Sequence, residues 1–142
     1  MTGSVKQVDS LSANEFAVEL DGVRLEGIFK ITGFIPFKLE VKPVNQLKQV
    51  KDAFQLVRMV RRDPAEPMNA WLRDTVSAGA DIDRPTRTLT IIAIDDALEI
   101  RRWSLSEAWV SEIAYSEFDT GSSELVQETL TIRWESLQET WL

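Results

Sequence analysis

Enzymatic chemistry near neutral pH needs groups that shuttle protons, attack carbon or phosphorus, or hold a metal, and this sequence offers few of them. It contains no histidine and no cysteine, which removes the commonest general base, thiolate nucleophiles, thiolate zinc sites and disulfides together. The compact acidic pairs are Asp81-x-Asp83 and Asp95-Asp96, and carboxylates in such pairs suit hard cations such as magnesium or calcium. Both pairs fall where the chain has to turn, and aspartate is favoured in turns for its hydrogen bonds to nearby backbone. Turn formation is the simpler account. Glu112, Glu117, Asp119 and Glu124 could act as paired carboxylates only if two of them were held in different environments over a pocket. Solvated strand and loop faces explain that cluster with fewer demands. No glycine-rich phosphate loop, nucleophile elbow or metal-binding histidine spacing is present. The expectation is a protein that is not an enzyme and carries no cofactor or metal.

Glu128 stands apart from the other acids. It falls on the apolar parity of a strand made by Val126, Leu130, Ile132 and Trp134, and an unpaired buried charge is strongly destabilising. It must therefore be paired, lie at a subunit seam, or sit at a strand end open to water. Arg61, Arg62, Arg101 and Arg102 are the candidate partners.

Composition narrows the class further. With 142 residues the chain fits one domain, which at this size can bury about 70% of the surface exposed when unfolded. Aspartate and glutamate total 23 against 16 lysine and arginine, for a formal charge of −7. That balance repels phosphate backbones, so sequence-specific nucleic-acid binding is not expected. The N-terminus has no apolar core of signal-peptide length, and no apolar run approaches the roughly 20 residues of a membrane span. The expected product is cytoplasmic and soluble until assembled.

The elements that must position these residues are mostly strands. A loosely held arm over residues 1–13, with Val5, Val8 and Leu11 at a spacing of three, is the simpler reading; docking on a neighbouring copy is the other. A single domain over 14–142 follows. Phe16, Val18 and Leu20 alternate with polar residues, Asp21-Gly22 suits a type I′ turn, and Val23 to Ile31 resumes the alternation, predicting a long amphipathic hairpin. Gly33 and Pro36 bracket a break, and Phe37, Leu39 and Val41 predict a third strand. Between Val44 and Val60 periodicity fits either a helix or a strand; the preferred reading is loop or broken helix to about Asp52 and strand from Ala53 to Arg61.

A helix is expected to begin with Pro67 as its first residue, bury Met68, Trp71, Leu72 and Thr75-Val76, and end at Gly79. Thr86 to Ile94 is apolar on both faces, as in a strand covered on both sides, and a neighbouring subunit could supply the second cover. Asp95-Asp96-Ala97 turns the chain into Leu98 to Leu105, where a change of apolar parity implies a bulge near Arg101-Arg102. A weaker strand to Tyr115, a loop at Thr120 to Ser123 and a strong strand from Leu125 to Glu135 complete the pattern, with Leu137 and Trp141 closing the chain.

Several of these pieces, in this order, resemble the tail tube proteins of contractile phages and of the injection machines derived from them. They are Phe16-x-Val18-Glu-Leu20-Asp-Gly22, Gly27-x-Phe29-x-x-x-Gly33, Met59-Val-Arg-Arg62-Asp, Met68-Asn-Ala-Trp71-Leu, and the series Trp103, Leu105, Ala108-Trp109, Glu128 and Leu130. The family's proline after the Ala-Trp pair is Val110 here, its glycine after the central basic pair is Asp63, and its glycine-rich segment is replaced by Lys42 to Asp52. A specialised or baseplate-proximal tube subunit is compatible with those departures.

The resemblance implies a mainly β fold: a small barrel-like pair of antiparallel sheets with one flanking α-helix. It further implies six copies in a ring, and rings stacked into a tube inside a contractile sheath as a conduit for DNA or effector cargo. Partners would be other copies, sheath and baseplate proteins and the cargo, with the protein ending in a virion tail or injection particle. On that expectation Phe29, Phe37, Trp71 and Leu72 hold the fold, while Lys42, Lys48, Lys51, Asp63 and Glu128 are candidate subunit contacts. The runner-up is a monomeric barrel whose Trp103, Trp109 and Trp134 enclose a small apolar ligand or peptide.

Overall fold

The computed structural model describes residues 10–13 and 15–142. Residues 1–9, most of the expected arm, lie outside the described set.

Among the described residues ten strands and one helix follow one another: β1 (Phe16–Leu20), β2 (Val23–Arg24), β3 (Ile28–Thr32), β4 (Leu39–Lys42), β5 (Gln46–Gln49), β6 (Phe54–Met59), α1 (Pro67–Ala78), β7 (Arg87–Asp95), β8 (Leu98–Tyr115), β9 (Gln127–Arg133) and β10 (Ser136–Trp141). All pairings are antiparallel. The strand path is β2-β1-β7-β8-β9-β6-β3, with β10 also on β8, and β4-β5 as a separate two-stranded ribbon. The path has two free ends, so no closed barrel is found among the described residues.

β8 makes the path into two sheets. Its first part, from Leu98, pairs with β7 and β10, and its last part, Trp109 to Tyr115, pairs with β9. Between them Glu107 takes a positive φ of 51°, and one extra residue there shifts the register against β7, bending the strand as a bulge does. The expected parity change near Arg101-Arg102 is also present: Ala93 faces Arg101 and Ile94 faces Glu99, leaving Ile100 as the extra residue.

The predicted hairpin at the start is shorter than its alternation suggested. Asp21 and Gly22 both have positive φ, 48° and 82°, as a type I′ turn requires, but the return strand is short: Val23 and Arg24 pair with β1 and Leu25 N–H donates to Val18 O at 2.8 Å. At Gly27, φ 88°, the chain leaves the first sheet, and β3 pairs with β6 in the second. Period-2 patterning reports which face is buried and is silent on which neighbour is paired. The segment read as loop or broken helix before Asp52 is instead β5, hydrogen-bonded to β4 in register Leu39 to Gln49 through Lys42 to Gln46. All four residues of β5 are exposed, which is why no alternation marks that strand. The final Leu137 to Trp141 is likewise a strand, β10, on β8.

α1 starts at Pro67 and ends before Gly79, whose N–H donates to Val76 O. Its Met68, Trp71, Leu72 and Thr75 are buried, while Val76, expected on the same stripe, is exposed. Trp71, Met68, Phe54, Leu56, Leu89, Leu105, Leu130 and Ile132 form one apolar core with Val18 and Leu20, uniting both sheets and the helix. Phe29 and Phe37, expected in that core, are exposed. Phe29 follows Ile28 and precedes the core-facing Ile31, with a register shift between Ile28 and Lys30, so it is turned outward.

Candidate subunit interface

The buried polar centre of the molecule is Arg58. It lies on the inward parity of Phe54 and Leu56 in β6, directly opposite Glu128 of β9, and both are almost fully buried. Arg58 Nε donates to Glu128 Oε1 at 2.7 Å, Nη1 donates to Glu66 Oε1 at 2.7 Å, and Nη2 donates to Asn69 Oδ1. Glu66 is the N-cap of α1, accepting the backbone N–H of Met68 at 3.1 Å and of Asn69 at 3.0 Å, so one arginine fastens the helix start to the sheet. Burial opposes ionisation of Glu66, but the hydrogen bonds from Arg58, Asn69 and Met68 and the charge of Arg58 outweigh it and hold its carboxyl below the usual range. Tyr115 beside this cluster is pushed the other way, by burial and by its hydrogen bond and proximity to Glu128.

Glu128 is thus paired within the chain. Its partner is none of Arg61, Arg62, Arg101 or Arg102 but Arg58, which the pattern Phe54-x-Leu56-x-Arg58 places on the same face. The signal was present: once β6 and β9 are both read as strands, two opposite charges on apolar parities have only each other.

Asp63 lies on the exposed turn before α1, where its Oδ1 accepts Ala65 N–H at 2.9 Å and its carbonyl accepts Glu66 N–H at 3.2 Å. Asn69 Nδ2 also donates to that carbonyl, at 2.8 Å. Asp63 and Glu128 are therefore near one another, on either side of the Arg58 cluster.

Lys42, Lys48 and Lys51 are elsewhere, on and just after the β4-β5 ribbon. Lys42 pairs with Glu40 at 3.6 Å and Lys38 with Asp52 at 3.1 Å; Lys48 and Lys51 form no ion pair among the described residues. The ribbon turns through Val44 and Asn45 with φ of 64° and 56°, and Val44 is 88% exposed. A β-branched residue in the left-handed region is strained, and an exposed valine there is a poor choice for folding alone.

Two of the acids considered for chemistry hold turns. Asp81 Oδ1 accepts Asp83 N–H at 3.0 Å, and Asp119 Oδ1 accepts Gly121 N–H at 2.9 Å, both as turn carboxylates do. Nor do the tryptophans gather around one cavity. Trp103 packs edge-on to Phe34, Trp134 is buried and donates to Asp52 O, and Trp109 lines an open groove with Val76 and Ile82.

The sequence profile of the T4-like virus tail tube protein gp19 matches residues 48–138, nearly two thirds of the chain. The chain belongs to that tail tube family. No curated protein sequence matches it.

Among solved structures the tail tube fold recurs at low identity. A chain of the PVC sheath-tube complex, an extracellular contractile injection system in its extended state, is 13% identical, with 94% of this chain and 93% of that chain covered and a TM-score of 0.67. A chain of the anti-feeding prophage cap is 13% identical over 99% and 97%, TM-score 0.72. Hcp1 from Flavobacterium johnsoniae is 10% identical over 89% and 95%, TM-score 0.58. These likenesses establish a shared tail tube fold. No helix among the described residues is long and apolar enough to cross a membrane.

Proposed function

We propose that the protein is a structural subunit of the inner tube of a contractile phage tail or related injection system, assembling as stacked hexameric rings around a conduit for DNA or effector cargo. The observation that carries this is the family membership over residues 48–138, joined to a fold that aligns nearly end to end with a chain of a sheath-tube complex. Residues 14–142 act as one barrel-like unit, and no catalytic step is involved. The protein is cytoplasmic before assembly and then part of the virion tail or injection particle, with sheath and baseplate proteins as neighbours.

In this reading Lys42, Lys48 and Lys51 on the exposed ribbon, and the corner carrying Asp63, meet other copies, while Glu128 stays paired with Arg58 inside the chain. Six copies would carry six times the formal −7 of one chain, and an acidic wall repels DNA or acidic cargo enough to let it slide.

Light scattering across concentrations, with negative-stain images of the same fractions, tests the proposal. Rings or tubes with a central hole are expected. A monomer at every concentration whose tryptophan fluorescence responds to an apolar ligand would replace it with the binding-module reading.

A further inference from the structure

Burial fades row by row along the inner face of the first sheet. Leu20, Leu89, Leu105 and Leu137 stand side by side across β1, β7, β8 and β10; the next row is Val18, Ile91, Trp103 and Glu139, and the last is Phe16, Ala93, Arg101 and Trp141. In the first row three of the four leucines are buried, in the second Trp103 is half-buried and Glu139 exposed, and in the last none is buried. The β8-β10 side of this fading region covers itself: Trp103 Nε1 donates to Glu139 Oε2 at 3.0 Å, and the Arg101 guanidinium lies 3.6 Å over the Trp141 ring.

The β1-β7 side has no such cover. Ala93 is too small to fill its place beside Phe16, and a notch of about 490 Å³ opens there, walled by Phe16, Phe34 and Trp103 and rimmed by Phe29 and Leu11. That volume lies in the range of small binding clefts. Phe29 and Leu11 are nearly half exposed, and a cluster of rings and aliphatic side chains left in water at one corner calls for an occupant.

The chain supplies one at the mouth of the notch. Residues 11–13 form part of its wall, and ahead of them Val5 and Val8 precede Leu11 at a spacing of three. Val8 is three residues from Leu11 and Val5 is six, at most about 11 Å and 22 Å of extended chain, so both reach the rings. A link this short holds the arm at an effective concentration near millimolar, which favours it over the arm of another copy. Lys30 lines the same notch and forms no ion pair among the described residues; Asp9 of the arm brings the charge that matches it.

We infer that residues 1–9 dock in this notch of their own chain, with Val8 and Val5 against Phe16, Phe34 and Trp103, as a strap that keeps the aromatic corner from water. The contact lies within one chain and does not rest on the tube reading.

The absence of cysteine lets one introduced thiol report on the strap. Phe29→Cys places it on the rim, outside the core, and circular dichroism checks that each variant is folded. Labelling by iodoacetamide is timed in Phe29→Cys alone, in the same chain with Val5→Asp and Val8→Asp, and in the same chain with Val5→Leu and Val8→Leu. The aspartates should speed labelling at least about tenfold, the factor that losing one buried valine side chain supplies, while the leucines keep it slow. The slow rate should be the same at every protein concentration. Equal rates in all three chains overturn the strap. Protection that grows with protein concentration overturns it as well, by giving the notch to another copy's arm. Amide hydrogen exchange of the wild-type chain is the second readout: the arm should exchange more slowly than in Val5→Asp with Val8→Asp, and equal exchange overturns the contact.

Discussion

The cluster around Arg58 and the ribbon around Val44 handle charge and strain in opposite ways. At Arg58 the guanidinium meets Glu128, Glu66 and Asn69 inside the protein, and removing it from water is offset by bonds to three side chains, one on β9 and two at the start of α1. At the ribbon, two lysines lack ion-pair partners, apolar side chains face solvent, and a valine holds a left-handed conformation. The difference separates residues chosen for the fold of one chain from residues that the fold alone does not explain. A buried charge must find its partner in the same chain or the chain does not fold; an exposed one is free to find it in another.

Breaking the interior half of this contrast should have the largest effect. Arg58→Ala leaves the buried Glu128 and the half-buried Glu66 without their cation and should cost about 3–5 kcal/mol, read by urea denaturation. The paired change Arg58→Met with Glu128→Leu should recover most of that, because apolar packing replaces a buried ion pair at little cost. Glu66→Ala removes both the helix cap and one arginine partner and should cost about 1–2 kcal/mol.

The cap also sets a pH dependence. Because the folded carboxyl of Glu66 is held below its unfolded value, its contribution is fully present above the ordinary glutamate value, about 4.3, and is lost as pH falls through the lower folded value. Glu66→Gln should therefore flatten acid destabilisation over that window, measured by melting temperature against pH.

The ribbon half should respond in the reverse sense. Val44→Gly relieves about 1–2 kcal/mol of left-handed strain, less the flexibility glycine adds to the unfolded chain, and should raise monomer stability by under about 1 kcal/mol while weakening assembly in light scattering. A loss of stability would mean the tip serves the fold after all. The smallest effect is expected where charges are paired at the surface: Arg24, shared between Glu19 at 3.4 Å and Glu99 at 3.2 Å, should change stability by under about 0.5 kcal/mol on mutation to alanine.

The sequence exposes the interior far better than the ends. Strand β9, the start of α1 at Pro67, the type I′ turn at Asp21-Gly22, the turn at Asp95-Asp96-Ala97, and the inward Glu128 follow from parity and turn chemistry, which are local. What escaped depends on partners distant in sequence. The chain leaves its first hairpin at Gly27 because β3 is claimed by β6, and nothing in its alternation records that choice. Arg58 was hidden by its neighbours Arg61 and Arg62, though its parity with Phe54 and Leu56 distinguishes it. β5 has no buried face, so burial left no mark on it, and Trp109 reads as core until the bulge at Glu107 turns it outward.

β8 has a mechanical consequence. One covalent backbone of 18 residues serves as the shared rung of both sheets, with β7 and β10 bonded along its first part and β9 along its last. A push delivered at either end is carried through that backbone, and sliding one sheet past the other would load a whole ladder of hydrogen bonds at once instead of peeling them singly. The two halves of the molecule bear thrust as a single strut.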